Sequence, residues 1–222
     1  MMDRNLGATS ATPGDVGALG LMYQWGRKDP FLSASSFGSF PKKAESTITW
    51  PSVESSDVST GTIEYAVEHP TTFITDNSDG DWYYPDSSSA ENTHWQSEKT
   101  IYDPCPAGWR VPDGGENGVW STARGSSLDY NRSYDGTNNG MNFSGDFGND
   151  AIIWYPSSGY LSSYDGSLSR IGNDGEYWSC SSILSIGFAY YLNFGNDGNV
   201  SPEACLTRAF GKAVRCLKEQ YK

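Results

Sequence analysis

Two histidines, His69 and His94, and four cysteines, Cys105, Cys180, Cys205 and Cys216, are the residues of this chain best suited to nucleophilic, redox or metal chemistry. Their spacing gives little support to any of these. No CxxC pair and no Cys/His ligand set occurs, which removes the common zinc and dithiol arrangements. Neither histidine has a recognisable nucleophile or metal partner nearby in sequence. A third possibility is "TDNSDGD" at 75–81, where Asn77, Asp79 and Asp81 alternate around Gly80 like part of a calcium loop. Thr75 holds the first ligand position and no closing Glu follows at the right distance, so an acidic turn is the stronger expectation. No cofactor is expected, calcium being the one cation with any foothold.

The rest of the composition points toward binding. The chain has 222 residues and a formal charge of −12, with 8 Trp, 14 Tyr, 9 Phe, 25 Gly and 11 Pro. That length can bury a sizeable core. Aromatics punctuated by turn formers imply many short strands and long ordered loops. The acidic balance argues against nucleic acid and anionic membrane as partners, since both require a basic face. No apolar run approaches the roughly 18 residues of a membrane span. The start, "MMDRNLGATS", has no signal-peptide core. Together with the cysteine usage, this leads us to expect a secreted or outer-surface piece of a longer exported precursor.

Several elements are expected to position these residues. Residues 14–30 read as a helix, with Leu19, Met22, Tyr23 and Trp25 near helical spacing and Pro30 ending the run. Residues 31–98 form a loop-rich insertion within a single domain spanning 1–222. A second helix is expected at 113–124, opened by Asp113 with Glu116 three residues later. Strands are expected at 151–155, 176–180, 188–194 and 213–218. The recurring "FGND", "IGND" and "YDG" segments read as turns.

The segments "MDRNLGA" (2–8), "GLMYQWGRKDPF" (20–31), "YDPCPAGWRVP" (102–112), "YWSCSS" (177–182), "AYYLNF" (189–194) and "GKAVRCLKE" (211–219) occur in this order. This set resembles a Bacteroidetes surface-protein family with a C-type-lectin-like fold, which includes the paralogous domains of Fibrobacter and the C-terminal domains of Bacteroides lipoproteins and pilus-tip proteins. The resemblance covers both ends and most of the second half; 32–98 carries no matching motif. It implies an α+β fold of two helices and a small twisted antiparallel sheet with long ordered loops, its termini joined by pairing of the first and last strands. It also implies a Cys105–Cys216 disulfide. Whether Cys180 and Cys205 form a second bridge stays open.

Residues 177–216 resemble, more narrowly, the variable segment of proteins diversified by retroelements. In that family Asn codons are randomised toward residues other than Lys, Glu, Gln, Met or Trp. Lys, Gln, Met and Trp make up 22 of the 222 residues, so about three would be expected in 180–210. None occurs there, while Glu203 and Lys212 depart from the rule and are read as fixed. The positions matching template Asn are Ile183, Leu184, Ser185, Ile186, Phe188, Tyr191, Asn193, Ser201, Ala204, Cys205, Leu206, Thr207 and Phe210. Strand alternation in "FAYYLNF" places Tyr190, Leu192 and Phe194 toward the core and Tyr191 and Asn193 outward. Residues 203–207 read as a loop whose apolar content reflects variation.

These readings lead to a non-enzymatic, adhesin-like domain that binds an unidentified protein or glycan through exposed aromatic and aliphatic side chains. Pilus subunits are the further partners considered. Without the resemblance, Ile183, Leu184, Ile186, Phe188 and Tyr191 would be read as ordinary hairpin core. An invariant structural subunit is the alternative. A formylglycine-generating-enzyme-like activity is a weaker one, because that chemistry needs a cysteine pair in a different sequence context. Calcium-dependent sugar binding lacks its Glu-Pro-Asn or Gln-Pro-Asp tripeptide, and "Ser201-Pro202-Glu203" is only an echo of it.

Overall fold

The computed structural model describes residues 1–34, 52–84, 93–123, 131–144, 152–183 and 187–219. Its elements in chain order are β1 (Met22–Gln24), β2 (Ser52–Ser55), α1 (Ile63–Glu68), β3 (Thr72–Thr75), β4 (Trp109–Arg110), α2 (Val119–Ala123), β5 (Asn131–Asp135), β6 (Gly140–Ser144), β7 (Ile152–Pro156), β8 (Tyr160–Leu161), β9 (Leu168–Ser169), β10 (Asp174–Ile183), β11 (Phe188–Gly195), β12 (Val200–Thr207), β13 (Gly211–Ala213) and β14 (Leu217–Lys218). Strand makes up 36% of the structure and helix 9%. This β-rich fold overturns the expected α+β, C-type-lectin-like arrangement. α1 has six residues and α2 five, about a turn and a half each, too short to form a helical layer over a sheet.

The failure of the helix expected at 14–30 has a backbone cause. Gly14, Gly20 and Gly26 take φ of +80°, +73° and +84°, left-handed conformations that end any right-handed helix. A single 3-10 turn survives at Val16–Ala18, where Asp15 Oδ1 accepts from the Gly17 amide. Met22–Gln24 joins the sheet instead, and the apparent helical spacing is a strand buried on both faces. The helix expected at 113–124 is α2 alone among the described residues. The Asp113 carboxylate, expected to cap it, is engaged by Arg110 at 2.5 Å and by Ser97.

A seven-stranded sheet organises the molecule in the order β12-β11-β10-β13-β8-β9, with β1 also pairing β13. The strands expected at 176–180 and 188–194 are the cores of β10 and β11, and 213–218 divides into β13 and β14. Successive side chains of a strand point to opposite faces, and here both faces are covered. Tyr177, Leu192, Phe194 and Ala213 join one core with Met22, Phe31 and Phe73. Trp178, Cys180, Ala189 and Tyr191 join the other with Tyr23, Trp25, Trp95 and Val214. Turn segments read from sequence do lie at strand reversals: 134–136 ends β5 and enters the turn to β6, 164–166 lies between β8 and β9, and 194–197 ends β11 and enters the turn to β12, where Gly198 has φ +82°. The "FGND" copy at 147–150 lies outside the described residues.

Within 31–98, the parallel pair β2 and β3 flanks α1, whose cap is Thr62, and a small third core forms from Ala66, Ile74, Trp82 and Ala209. The Cys105–Cys216 disulfide is present, with Cα atoms 6.0 Å apart across 111 residues. It crosses from the loop before β4 to the segment before β14, and those two strands pair with each other. The N-terminal segment meets the C-terminal one through Met2 and Leu6 amides donating to the Cys216 and Val214 carbonyls, rather than through a first-to-last strand ladder.

Candidate ligand-binding edge

The residues expected to vary gather on β11, β12 and their ends, the outer part of the sheet. β12 is its terminal strand, so Ala204, Cys205, Leu206 and Thr207 are strand residues and not the loop expected at 203–207. Their apolar character suits a pleated, half-buried strand. Directly opposed residues share a face, which fixes where each one points. Tyr191 opposes Ala204 and Trp178, Ala189 opposes Leu206, and Asn193 opposes Ser201 and Glu176. Cys205 opposes Tyr190, while Phe188 opposes both Thr207 and Ile183. The candidates therefore divide between the two faces and meet at the β12 edge, instead of forming one flat patch. Leu184, Ser185 and Ile186 lie outside the described residues.

On the first face, Tyr191 is a correction to the expected outward orientation. It is only 8% exposed, edge-on to Trp178 with ring centroids 5.7 Å apart. The reason is that this face is no solvent face: the second core lies over it. Around Tyr191 stand Asn193, Ala204, Leu206 and Phe210, half-buried, and Ser201, exposed. Behind them lies a feature that sequence reading missed. Lys212 is fully buried and pairs with Glu176. The Lys212 ammonium sits 4.1 Å from the Tyr191 ring centroid and 4.9 Å from those of Trp178 and Phe210, with Tyr160 at 5.5 Å. Burial pulls the ammonium below its usual pKa, and the Glu176 charge opposes that. The second Glu176 oxygen faces Asn193, whose Nδ2 lies 3.5 Å away. The only sequence signal for this box was that Lys212 breaks the rule of the variable code.

On the second face, Tyr190 lies against Gly114 and Gly115, where an added Cβ would come within 3.0–3.4 Å of it. Cys205 is exposed and Cys180 buried, and both thiols are free. They point to opposite faces, which prevents a bridge. Cys180 Sγ faces Asp113 Oδ1 at 3.5 Å, and burial pushes its thiol up to about 12, so it is a poor nucleophile at neutral pH.

The acidic turn at 75–81 abuts the hairpin tip. A Cβ on Gly80 would meet Thr207 at 2.5 Å, and one on Gly187 would meet Asp81 at 2.9 Å. Asn77 Oδ1 accepts from the amides of Asp79 and Asp81, and the Asp81 carboxylate pairs with buried Arg208. Those oxygens hold the turn together and do not converge as a calcium shell would. Burial raises Asp81 to about 6 against the pull of Arg208. His94, enclosed by Trp82, Tyr83 and Tyr102, is lowered to about 4 by burial and then by Arg208. His69 stacks on Tyr65 at 4.0 Å. Among the described residues no group of three His, Cys, Asp or Glu side chains could hold a metal ion, and no helix is long and apolar enough to cross a membrane.

Comparison of the chain with protein-family models, with curated proteins and with solved structures finds no match.

Proposed function

We propose that this protein is the binding domain of an exported bacterial surface or pilus-tip protein, and that it recognises a protein or glycan without catalysis. In this reading a retroelement diversifies the side chains along β11, β12 and the turn to Phe210, on a β-rich scaffold that stays constant. One observation supports it most. Of the ten described positions that match randomised codons, nine are half-buried or exposed, Tyr191 being the exception. Of the neighbouring positions read as fixed, Trp178, Leu192, Lys212 and Cys216 are at most 1% exposed, while Glu203 is half-buried. Variation placed this way changes a surface while sparing the packing that folds it. An outer strand suits the purpose, because side chains from both faces can reach one partner at its edge. Aromatic and aliphatic groups there would give contact area with little entropy to lose.

Sequencing the 3′ end of the gene across independent cells of the source population tests this directly. Substitutions should concentrate at 183–186, 188, 193, 201, 204–207 and 210, with Trp178, Leu192, Gly211, Lys212 and Cys216 constant. At 191 the expressed proteins should keep large aromatic residues, because that ring closes the Lys212 box. An even spread of substitutions, or none, would sink the diversified reading and leave an invariant structural subunit that uses β12 as a contact.

A further inference from the structure

A second site, sharing no residue with the β12 edge, lies between α1 and the turn after β1. There a small cleft of about 30 Å³ is lined by Arg27, Lys28, Asp29, Val67, Trp82 and Tyr102, among others. Arg27 is 97% buried, being 3% exposed, and its bonding is unusual for so deeply placed a charge. Nη1 donates to Gln24 Oε1 and the Thr72 carbonyl, both at 2.9 Å. Nη2 donates to the Ala66 and His69 carbonyls at 3.3 and 3.4 Å. All four acceptors are neutral. Nε, the remaining donor of the fork, has no hydrogen-bond partner among the described residues. The rings of Phe31 and Trp82 lie 5.0 and 5.6 Å from the guanidinium carbon. Among the described residues no carboxylate is hydrogen-bonded to this cation, and Asp29 acts on it only through its charge, an expensive arrangement for a buried guanidinium unless an anion reaches it.

The cleft supplies the route for one. Lys28 is exposed at its lining and adds a second positive charge, while Asp29 subtracts one. The lining residues thus carry one net positive charge in a chain whose formal charge is −12, with the exposed carboxylates Glu64 and Glu68 of α1 outside the lining. A water needs roughly 10–15 Å³ of such space, so the cleft holds about two water-sized atoms, the span of a carboxylate's two oxygens. A tetrahedral dianion is too large, and Asp29 would oppose its second charge. Exposed Val67 and half-buried Tyr102 give the mouth an apolar rim. We propose that this cleft is a carboxylate subsite, with Arg27 as its floor, Lys28 as its attracting charge and an apolar rim for the chain that carries the acid. Burial holds Arg27 near a pKa of about 10, so it remains cationic at neutral pH.

Sodium acetate is the first probe, titrated at constant ionic strength while the Trp82 indole N–H is followed by NMR. A saturable shift in the millimolar range is expected. Val67→Trp, which fills the mouth from an exposed helix position, should weaken it at least tenfold. Val58→Trp, at a position 75% exposed and outside the cleft, should leave it unchanged. Lys28→Ala should weaken it several-fold. A shift that never saturates, equal saturation in Val67→Trp, or a tighter response to inorganic phosphate than to acetate would overturn the assignment. An apolar dipeptide compared with its C-terminal amide, and glucuronate in parallel, separate the sources. Binding of the free dipeptide alone assigns a chain-terminal carboxylate, and binding of glucuronate assigns a sugar acid; either supports the subsite.

Discussion

Lys212 and Glu176 show how a single pair can decide what the surrounding surface is free to do. Each is costly to bury alone, and together they are offset by mutual attraction and by four aromatic rings. Removing one partner leaves the other charge uncompensated, so Lys212→Met should cost about 3–5 kcal/mol in urea denaturation. Lys212→Met combined with Glu176→Gln should recover a large part of that loss. If the single variant is as stable as the parent, the box is not a fixed element of the scaffold. Tyr191 belongs to this pair as much as to the binding edge. The alternation rule gave its side of the strand correctly and its exposure wrongly, because nothing in "FAYYLNF" announces that the second face is also covered. The free thiols teach a related point: four cysteines left their connectivity open, and what separates Cys180 from Cys205 is the pleat of one sheet.

Among the elements, the short strands and their turns were the legible part. Gly, Asn and Asp punctuation marks where the chain must reverse, and β10 and β11 follow from their aromatics, Tyr177 and Trp178 in one and Phe188, Tyr190, Tyr191 and Phe194 in the other. The helix at 14–30 was misread because Leu19, Met22, Tyr23 and Trp25 fit a helical stripe as well as a strand facing two cores, and left-handed glycines decide between them. β12 was misread as loop because Pro202 and Glu203 interrupt it. A one-residue bulge between the pairs Tyr191–Ala204 and Asn193–Ser201 absorbs that interruption. Pairing only β11 among the described residues, β12 should behave as an edge. Its outward amides should exchange with solvent orders of magnitude faster than those of β10 in hydrogen–deuterium exchange of the monomeric protein. Protection of β12 equal to that of β10 would show that the edge is covered, and would favour the structural-subunit reading over the binding one.

At the scale of the whole molecule, the disulfide was the feature the resemblance anticipated correctly, although the fold it implied was wrong. A link between two cysteines survives as a prediction because it requires only that their backbones approach, whereas a fold class requires every element to be right. Closing a loop of 111 residues should stabilise the protein by about 4–5 kcal/mol. Replacing both Cys105 and Cys216 with Ser should therefore lower the urea midpoint markedly; an unchanged midpoint would mean that the β4–β14 pairing holds this junction without help.

The same link sets what happens when the chain is pulled. Every strand from β4 to β13 lies between the two bridged residues, so tension applied at residues 1 and 222 bypasses them through one covalent bond. Only the segments outside the bridge can be drawn out, about half the chain, or roughly 390 Å of contour at 3.5 Å per residue against about 780 Å once the bond is reduced. Drawing out the first hundred residues would take Met22, Phe31 and Phe73 from one face of the sheet and Tyr23, Trp25 and Trp95 from the other, so the force at which that segment leaves is the force at which β11 and β12 lose their support, while the bond halts any further extension.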